Sequence, residues 1–133
     1  MGLGKTVQSI AASSLFPSLR PVLVIAPSGA RRHWQEEYKR WCPGLRSQVI
    51  SAGSDRISSK ADVIIVSYGL VGALMKRGTL TKWKGMAIVD ESHMLKSRKS
   101  KRSKAAMELL AEVRTASNGN PTHIHPLHTH TPL

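Results

Sequence analysis

The sequence predicts an α/β protein built on a parallel sheet with helices on both faces. Three observations lead there. The runs PVLVIAPS, DVIIVS and MAIVDESH each hold a short, continuous block of Val, Ile, Leu and Ala, which is the pattern of a strand buried on both sides. The stretches between them place apolar residues at helical spacing. Each run also ends in residues that stop a strand and carry chemistry, where a parallel sheet presents its functional loops.

Taken in order, Val7, Ile10 and Ala11 recur at helical spacing and predict a helix from residue 4 to about 14, closed off by Pro17 and Pro21. PVLVIAPS is the first strand, ended by Pro27, and Ser28 is placed to cap the helix that follows. In that helix Ala30, Trp34, Tyr38 and Trp41 fall at steps of four, four and three, one apolar stripe with Arg31, Arg32, Glu36 and Lys39 elsewhere. Cys42-Pro43-Gly44 stops it. SQVIS and DVIIVS are two further strands, AGSDRISSK is a polar loop between them, and YGLVGALM reads as a short helix. MAIVDESH is the last apolar run, and it ends in two acids. From about Thr115 periodicity disappears, so the chain divides into an α/β unit over 1–113 and an unstructured His/Pro-rich tail over 114–133. The tail holds four of the six histidines, but the spacing of His123, His125, His128 and His130 fits no zinc pattern.

At 133 residues the chain is one domain at most, and 41% hydrophobic with 21% charged residues marks it as globular rather than disordered. Its 20 Lys and Arg against 8 Asp and Glu give a net charge of +12, which favours a polyanionic partner, nucleic acid first. A membrane is the other anionic surface. No apolar run approaches the roughly 18 residues of a spanning helix, and no secretory leader is visible, so no membrane partner is expected. The single cysteine, Cys42, rules out an internal disulfide and reads as a packed side chain in a reducing compartment.

The chemistry sits in two short stretches. MGLGKT contains Gly2, Gly4, Lys5 and Thr6 in the arrangement of the second half of a phosphate-binding loop, G-x-x-x-x-G-K-[ST], whose first positions would precede Met1. About 85 residues later Asp90 and Glu91 follow the strand MAIV, which puts both carboxylates at the strand's C-terminal end. Either stretch alone has an ordinary structural explanation, a glycine-rich helix start or solvated acids. Together they match what nucleotide hydrolysis needs. Lys5 neutralises the β- and γ-phosphates, Thr6 and Asp90 hold Mg²⁺, and Glu91 orients and deprotonates the attacking water.

MGLGKTVQSIA, VLVIAPSGARRHWQEEYKRWCPG, ADVIIVSYGLV and MAIVDESHMLKSRKSKRSKAAMELL resemble, in order, four successive helicase motifs of the Snf-type DNA translocases. The Ser-His after Asp-Glu is similar to the annealing-helicase, HepA-related branch. The resemblance implies a RecA-like fold, the first motor lobe of a helicase superfamily two enzyme, in incomplete form. ATP with Mg²⁺ is the implied cofactor, duplex or forked DNA the track, DNA remodelling or fork repair the setting and the nucleus the location. Carried over by position, Gly2, Gly4, Lys5 and Thr6 form the phosphate loop, and Asp90 and Glu91 are the metal and hydrolysis acids. His93 couples nucleotide to DNA. Pro27 and Ser28 lie in the first DNA-backbone motif, and Ser67 and Tyr68 in the second. Ser97 stands where the family usually has Asn.

The same resemblance implies parts not seen in this chain. An adenine-gripping segment and a strand would precede Met1. After Leu110 the family runs into a strand and a T-G-T-P motif, where this chain continues with RTASNGNP, and then into a second lobe that supplies arginines to the ATP. The chain is therefore expected to bind ATP without turning it over alone. The run KSRKSKRSK carries six positive charges in nine residues. It has three readings: a solvated face, a DNA-backbone contact through Lys99, Lys101 and Arg102, or a nuclear-import signal. Two rival functions remain beside the motor: a non-catalytic nucleic-acid-binding fragment or truncated product, and a small phosphoryl-transfer kinase, for which no lid of clustered arginines is visible.

Overall fold

The computed structural model of the chain describes residues 2–80, 83, 85–90, 109 and 124–127. Five parallel strands form one sheet: β1 (Val22–Ala26), β2 (Ser47–Val49), β3 (Val63–Ser67), β4 (Ala87–Asp90) and β5 (Ile124–Leu127), in the order β2-β3-β1-β4-β5. Among the described residues, the helices α1 (Gly2–Leu15), α2 (Arg31–Trp41) and α3 (Tyr68–Lys76) accompany them.

Alternation along the strands explains why the apolar runs are unbroken. Val22, Val24 and Ala26 of β1, Val63 and Ile65 of β3 and Ile88 of β4 turn to one face, where they pack with Ile10, Trp34 and Tyr38 from α1 and α2. Leu23, Ile25, Ile64, Val66 and Val89 turn to the other, against Tyr68, Val71 and Leu74 of α3. Both faces are covered, so period-two polarity never appears in the sequence. The predicted α/β class holds, and no helix among the described residues is long and apolar enough to cross a membrane.

Several local expectations are corrected. The buried face of α1 is Thr6, Ser9, Ile10 and Ser13, whereas Ala11 is exposed. Small polar residues face inward there because the sheet and α2 approach closely, and the Ser13 hydroxyl is satisfied by Tyr38 Oη at 2.9 Å. Ser28 does not cap α2. It starts a 3-10 turn, Ser28–Ala30, closed by the Ala30 N–H on the Pro27 carbonyl at 2.9 Å, so Ala30 occupies the cap position with no side-chain bond. In the stripe of α2, Trp34 and Tyr38 are fully buried, but Trp41 is half exposed and donates its indole N–H to Glu37 at 2.8 Å. Cys42 is the C-cap of α2 and packs on the α1/α2 side of the core.

The largest correction is β5. Ile124–Leu127 lie within the stretch expected to be an unstructured tail, yet they pair in parallel with β4, Ala87 opposite Ile124 and Asp90 opposite Leu127. His125 and Pro126 hid the strand, since proline is confined to places in a sheet where its missing N–H is not needed. The remainder of 114–133 lies outside the described residues, as do Glu91, His93, Lys99, Lys101 and Arg102.

Candidate functional site

The site is set by register. Ile25 of β1 stands opposite Val89 of β4, and Ala26 opposite Ser67 of β3. Pro27 and Ser28, Ser67 and Tyr68, and Asp90 therefore emerge side by side at the C-terminal edge of adjacent strands. That edge also contains a topological switch: β1 lies between β3 and β4, and the connection through α3 passes from β3 across β1 to β4. Open parallel sheets bind ligands at such switch points.

The start of α1 faces the same edge. The connection from Leu15 to Val22 is short, so the C-terminus of α1 lies near the beginning of β1. Ser13 bonds Tyr38, one turn of α2 below Trp34, which reaches Asp90. Thr6 is seven residues before Ser13, about 10 Å along the axis at 1.5 Å per residue, which carries it toward the edge where Asp90 ends β4. Thr6 is itself buried, 5% exposed. Gly2, Gly4 and Lys5 lie on the first turns of α1, which begins at Gly2, two residues earlier than the helix expected from residue 4.

Asp90 is the centre of the polar arrangement. Because Ile88 turns to the α1/α2 face and Val89 away from it, alternation sends the Asp90 side chain to the face where α1 and α2 pack. There its Oδ2 accepts the Trp34 indole N–H at 2.8 Å. From the opposite face, the Tyr68 hydroxyl donates to the Asp90 main-chain carbonyl at 2.6 Å. Asp90 is 5% exposed, and a carboxylate so enclosed needs such donors. Oxygen donors of this type, a hydroxyl and a carboxylate, are those Mg²⁺ takes when a phosphate chain and water complete its shell. The described residues include no cluster of three or more His, Cys, Asp or Glu placed to enclose a metal by themselves.

The two residues assigned to the second DNA motif are placed differently from side-chain contacts with a polyanion. Ser67 and Tyr68 are 5% and 3% exposed, and the Tyr68 side chain points into the α3 side of the core. Pro27 and Ser28 do line the edge. Sequence reasoning counted Trp34 as core and missed its bond to Asp90. A buried indole N–H requires an acceptor, and that requirement was the available signal.

The profile of the SNF2-related domain matches residues 1–129, which reaches through β5. Residues 114–129 of the stretch expected to be a tail thus fall inside the family match, which was not expected of them. A Xenopus tropicalis protein named SWI/SNF-related matrix-associated actin-dependent regulator of chromatin subfamily A-like protein 1 is 39% identical over 139 residues, covering all of this chain and 14% of the relative. The human DNA annealing helicase and endonuclease ZRANB3 is 33% identical over 124 residues, covering 87% of this chain and 11% of its own length. Among solved structures, the Sulfolobus solfataricus SWI2/SNF2 ATPase core in complex with dsDNA superposes with a TM-score of 0.75 at 29% identity, over 99% of this chain and 26% of that one. The chain thus spans about a seventh of the first relatives' length, and with its parallel sheet, its edge of loop residues and its matched residues 1–129 it belongs to the SNF2-related family.

Proposed function

We propose that this stretch of chain is the ATP-binding, DNA-facing part of a DNA-dependent translocase that acts in DNA remodelling or fork repair in the nucleus. One observation carries the proposal: Asp90, Pro27–Ser28 and Ser67–Tyr68 converge on one edge of the sheet, toward which α1 directs Thr6. Family membership supports ATP as the nucleotide, the dsDNA complex of the Sulfolobus core supports duplex DNA, and the name of the human annealing helicase supports a forked substrate.

In the mechanism, Gly2, Gly4 and Lys5 bind the phosphates at the opening of α1, where backbone N–H groups and the helix dipole favour negative charge. Thr6 and Asp90 would hold Mg²⁺, which would supply charge neutralisation to the phosphates. Glu91 takes a proton from the attacking water, and His93 relates the acids to the DNA side. On that side Pro27 and Ser28 offer surface atoms, while Ser67 and Tyr68 are buried and support the edge from beneath. Lys99, Lys101 and Arg102 add sequence-independent attraction to the backbone. Phosphoryl transfer at such sites gains about 10³ to 10⁵ in rate from an arginine brought by another element. This stretch alone is therefore expected to bind Mg²⁺-ATP without DNA-stimulated turnover.

The test is nucleotide binding and turnover with and without duplex DNA. Lys5→Ala should abolish Mg²⁺-ATP binding, and within a complete motor Glu91→Gln should retain ATP unhydrolysed. DNA-dependent turnover by the 133-residue chain that disappears in Lys5→Ala would overturn the half-site assignment. DNA binding with no nucleotide affinity would favour the second reading, a non-catalytic nucleic-acid-binding piece, which the net charge of +12 supports.

A further inference from the structure

The Trp34 indole is fully buried on α2, and its N–H donates to Asp90 Oδ2 across 56 positions of sequence at 2.8 Å. Packing alone does not call for that donor. A phenyl ring contributes apolar surface to the same face without an N–H to satisfy, and the indole ring already contacts Tyr38 with centroids 6.4 Å apart. The other two tryptophans use their N–H groups differently: Trp41 donates to Glu37 on its own helix, and Trp83 to the Met86 carbonyl at 3.4 Å. Trp34 reaches out of its element to the one described acid at the end of a central strand.

An indole N–H is a donor only, and it sits on a planar ring with two side-chain torsions, both held here by packing. It therefore fixes the plane of a carboxylate more firmly than a serine or lysine would. The main chain of the same residue is held from the other face by the Tyr68 hydroxyl at 2.6 Å. Side chain and backbone of Asp90 are thus clamped by two aromatic donors on opposite sides of the sheet.

We propose that Trp34 is a positioning residue for the metal site: its N–H orients the Asp90 carboxylate toward Mg²⁺. This rests on the reading of Asp90 as the metal-holding acid given above. Donors behind a metal ligand commonly control affinity by about 10- to 100-fold. Trp34 also belongs to the helix that directly follows Pro27 and Ser28, so the residue that aims the acid is borne by the element adjoining a DNA-facing loop.

The experiment uses the 133-residue chain and two readouts. In the first, ADP binding is titrated against Mg²⁺ in the wild type and in Trp34→Phe. The variant should need about tenfold more Mg²⁺ or beyond, with metal-free ADP binding and duplex DNA binding unchanged. A purely structural role would weaken all three together. In the second, the wild-type indole N–H signals are followed by NMR while Mn²⁺ replaces Mg²⁺ in the ADP complex, with assignments from Trp41→Phe and Trp83→Phe. The Trp34 signal should broaden first, and this readout decides if Trp34→Phe does not fold. An unchanged Mg²⁺ requirement in folded Trp34→Phe, or a Trp34 signal that Mn²⁺ leaves sharp while ADP binding still depends on metal, would overturn the proposal and leave the nucleotide site standing. Absence of metal-dependent ADP binding in the wild type would overturn both.

Discussion

Tyr38 shows how one buried hydroxyl ties burial to pH. Its ring is fully enclosed between α2 and the sheet, and its Oη bonds Ser13 on α1 at 2.9 Å. Burial disfavours the phenolate and pushes the group from 10.0 up to about 12, with the Ser13 bond opposing in part. The folded state thus keeps a proton that the unfolded state releases near pH 10. Stability from this group is complete below pH 10 and is lost as pH rises toward 12, by about 2–3 kcal/mol in all. Chemical denaturation at pH 9 and pH 11.5 should show a drop in the wild type that is smaller in Tyr38→Phe. An equal drop in both would assign the alkaline loss to other groups. The same accounting of buried polar atoms, applied to Trp34 and Asp90, separates a core residue from one that holds the site.

At the scale of elements, α3 shows what stops a helix. YGLVGALM predicts where it runs, but the end is made by Gly78, which takes φ +77. The Gly78 N–H bonds the Met75 carbonyl at 3.0 Å and the Thr79 N–H bonds the Leu74 carbonyl at 3.0 Å, the paired bonds of a Schellman motif. A Cβ at Gly78 would meet nothing within 4 Å, so a substitution there costs only backbone strain. Gly78→Ala should destabilise by about 1 kcal/mol and Gly78→Asn by less, since Asn tolerates the left-handed region. Urea midpoints for the two variants check the order, and equal midpoints would mean that α3 ends differently in solution. The motif matters to the site because α3 fixes Tyr68, and Tyr68 fixes the Asp90 carbonyl.

At the scale of the whole molecule, charge rather than shape governs the first encounter with DNA. With +12 net charge the chain should bind duplex DNA without sequence preference and release counterions as it does. Each neutralised phosphate adds about 0.9 to the slope of log K against log salt. Replacing Lys99, Lys101 and Arg102 with Ala should flatten the slope by up to about 3 if the basic run is a backbone contact, and leave it nearly unchanged if that run is a solvated face. Fluorescence anisotropy over a range of salt distinguishes the two, and a flat response in the wild type would remove DNA from the proposed function.

What the sequence determined by itself was the succession α1 to β4 and the residues at the strand ends. Strands covered on both faces must be continuous apolar runs, and helices packed on one face must be periodic, so VLVIA, VIIV and the stripe through Trp34 and Tyr38 were legible before any coordinates. Glycine, lysine and acids at fixed places in that succession are what the proposed nucleotide site rests on. Tertiary structure decided what depends on neighbours distant in the chain. The strand order puts Asp90 between the α2 and α3 sides, which no local pattern encodes. Pairing with β4 makes a strand of Ile124–Leu127, four residues whose own composition argues for a loop. Trp34 looks apolar in any window of sequence, and only the packing of α2 on the sheet face to which Asp90 turns gives its N–H an acid to hold.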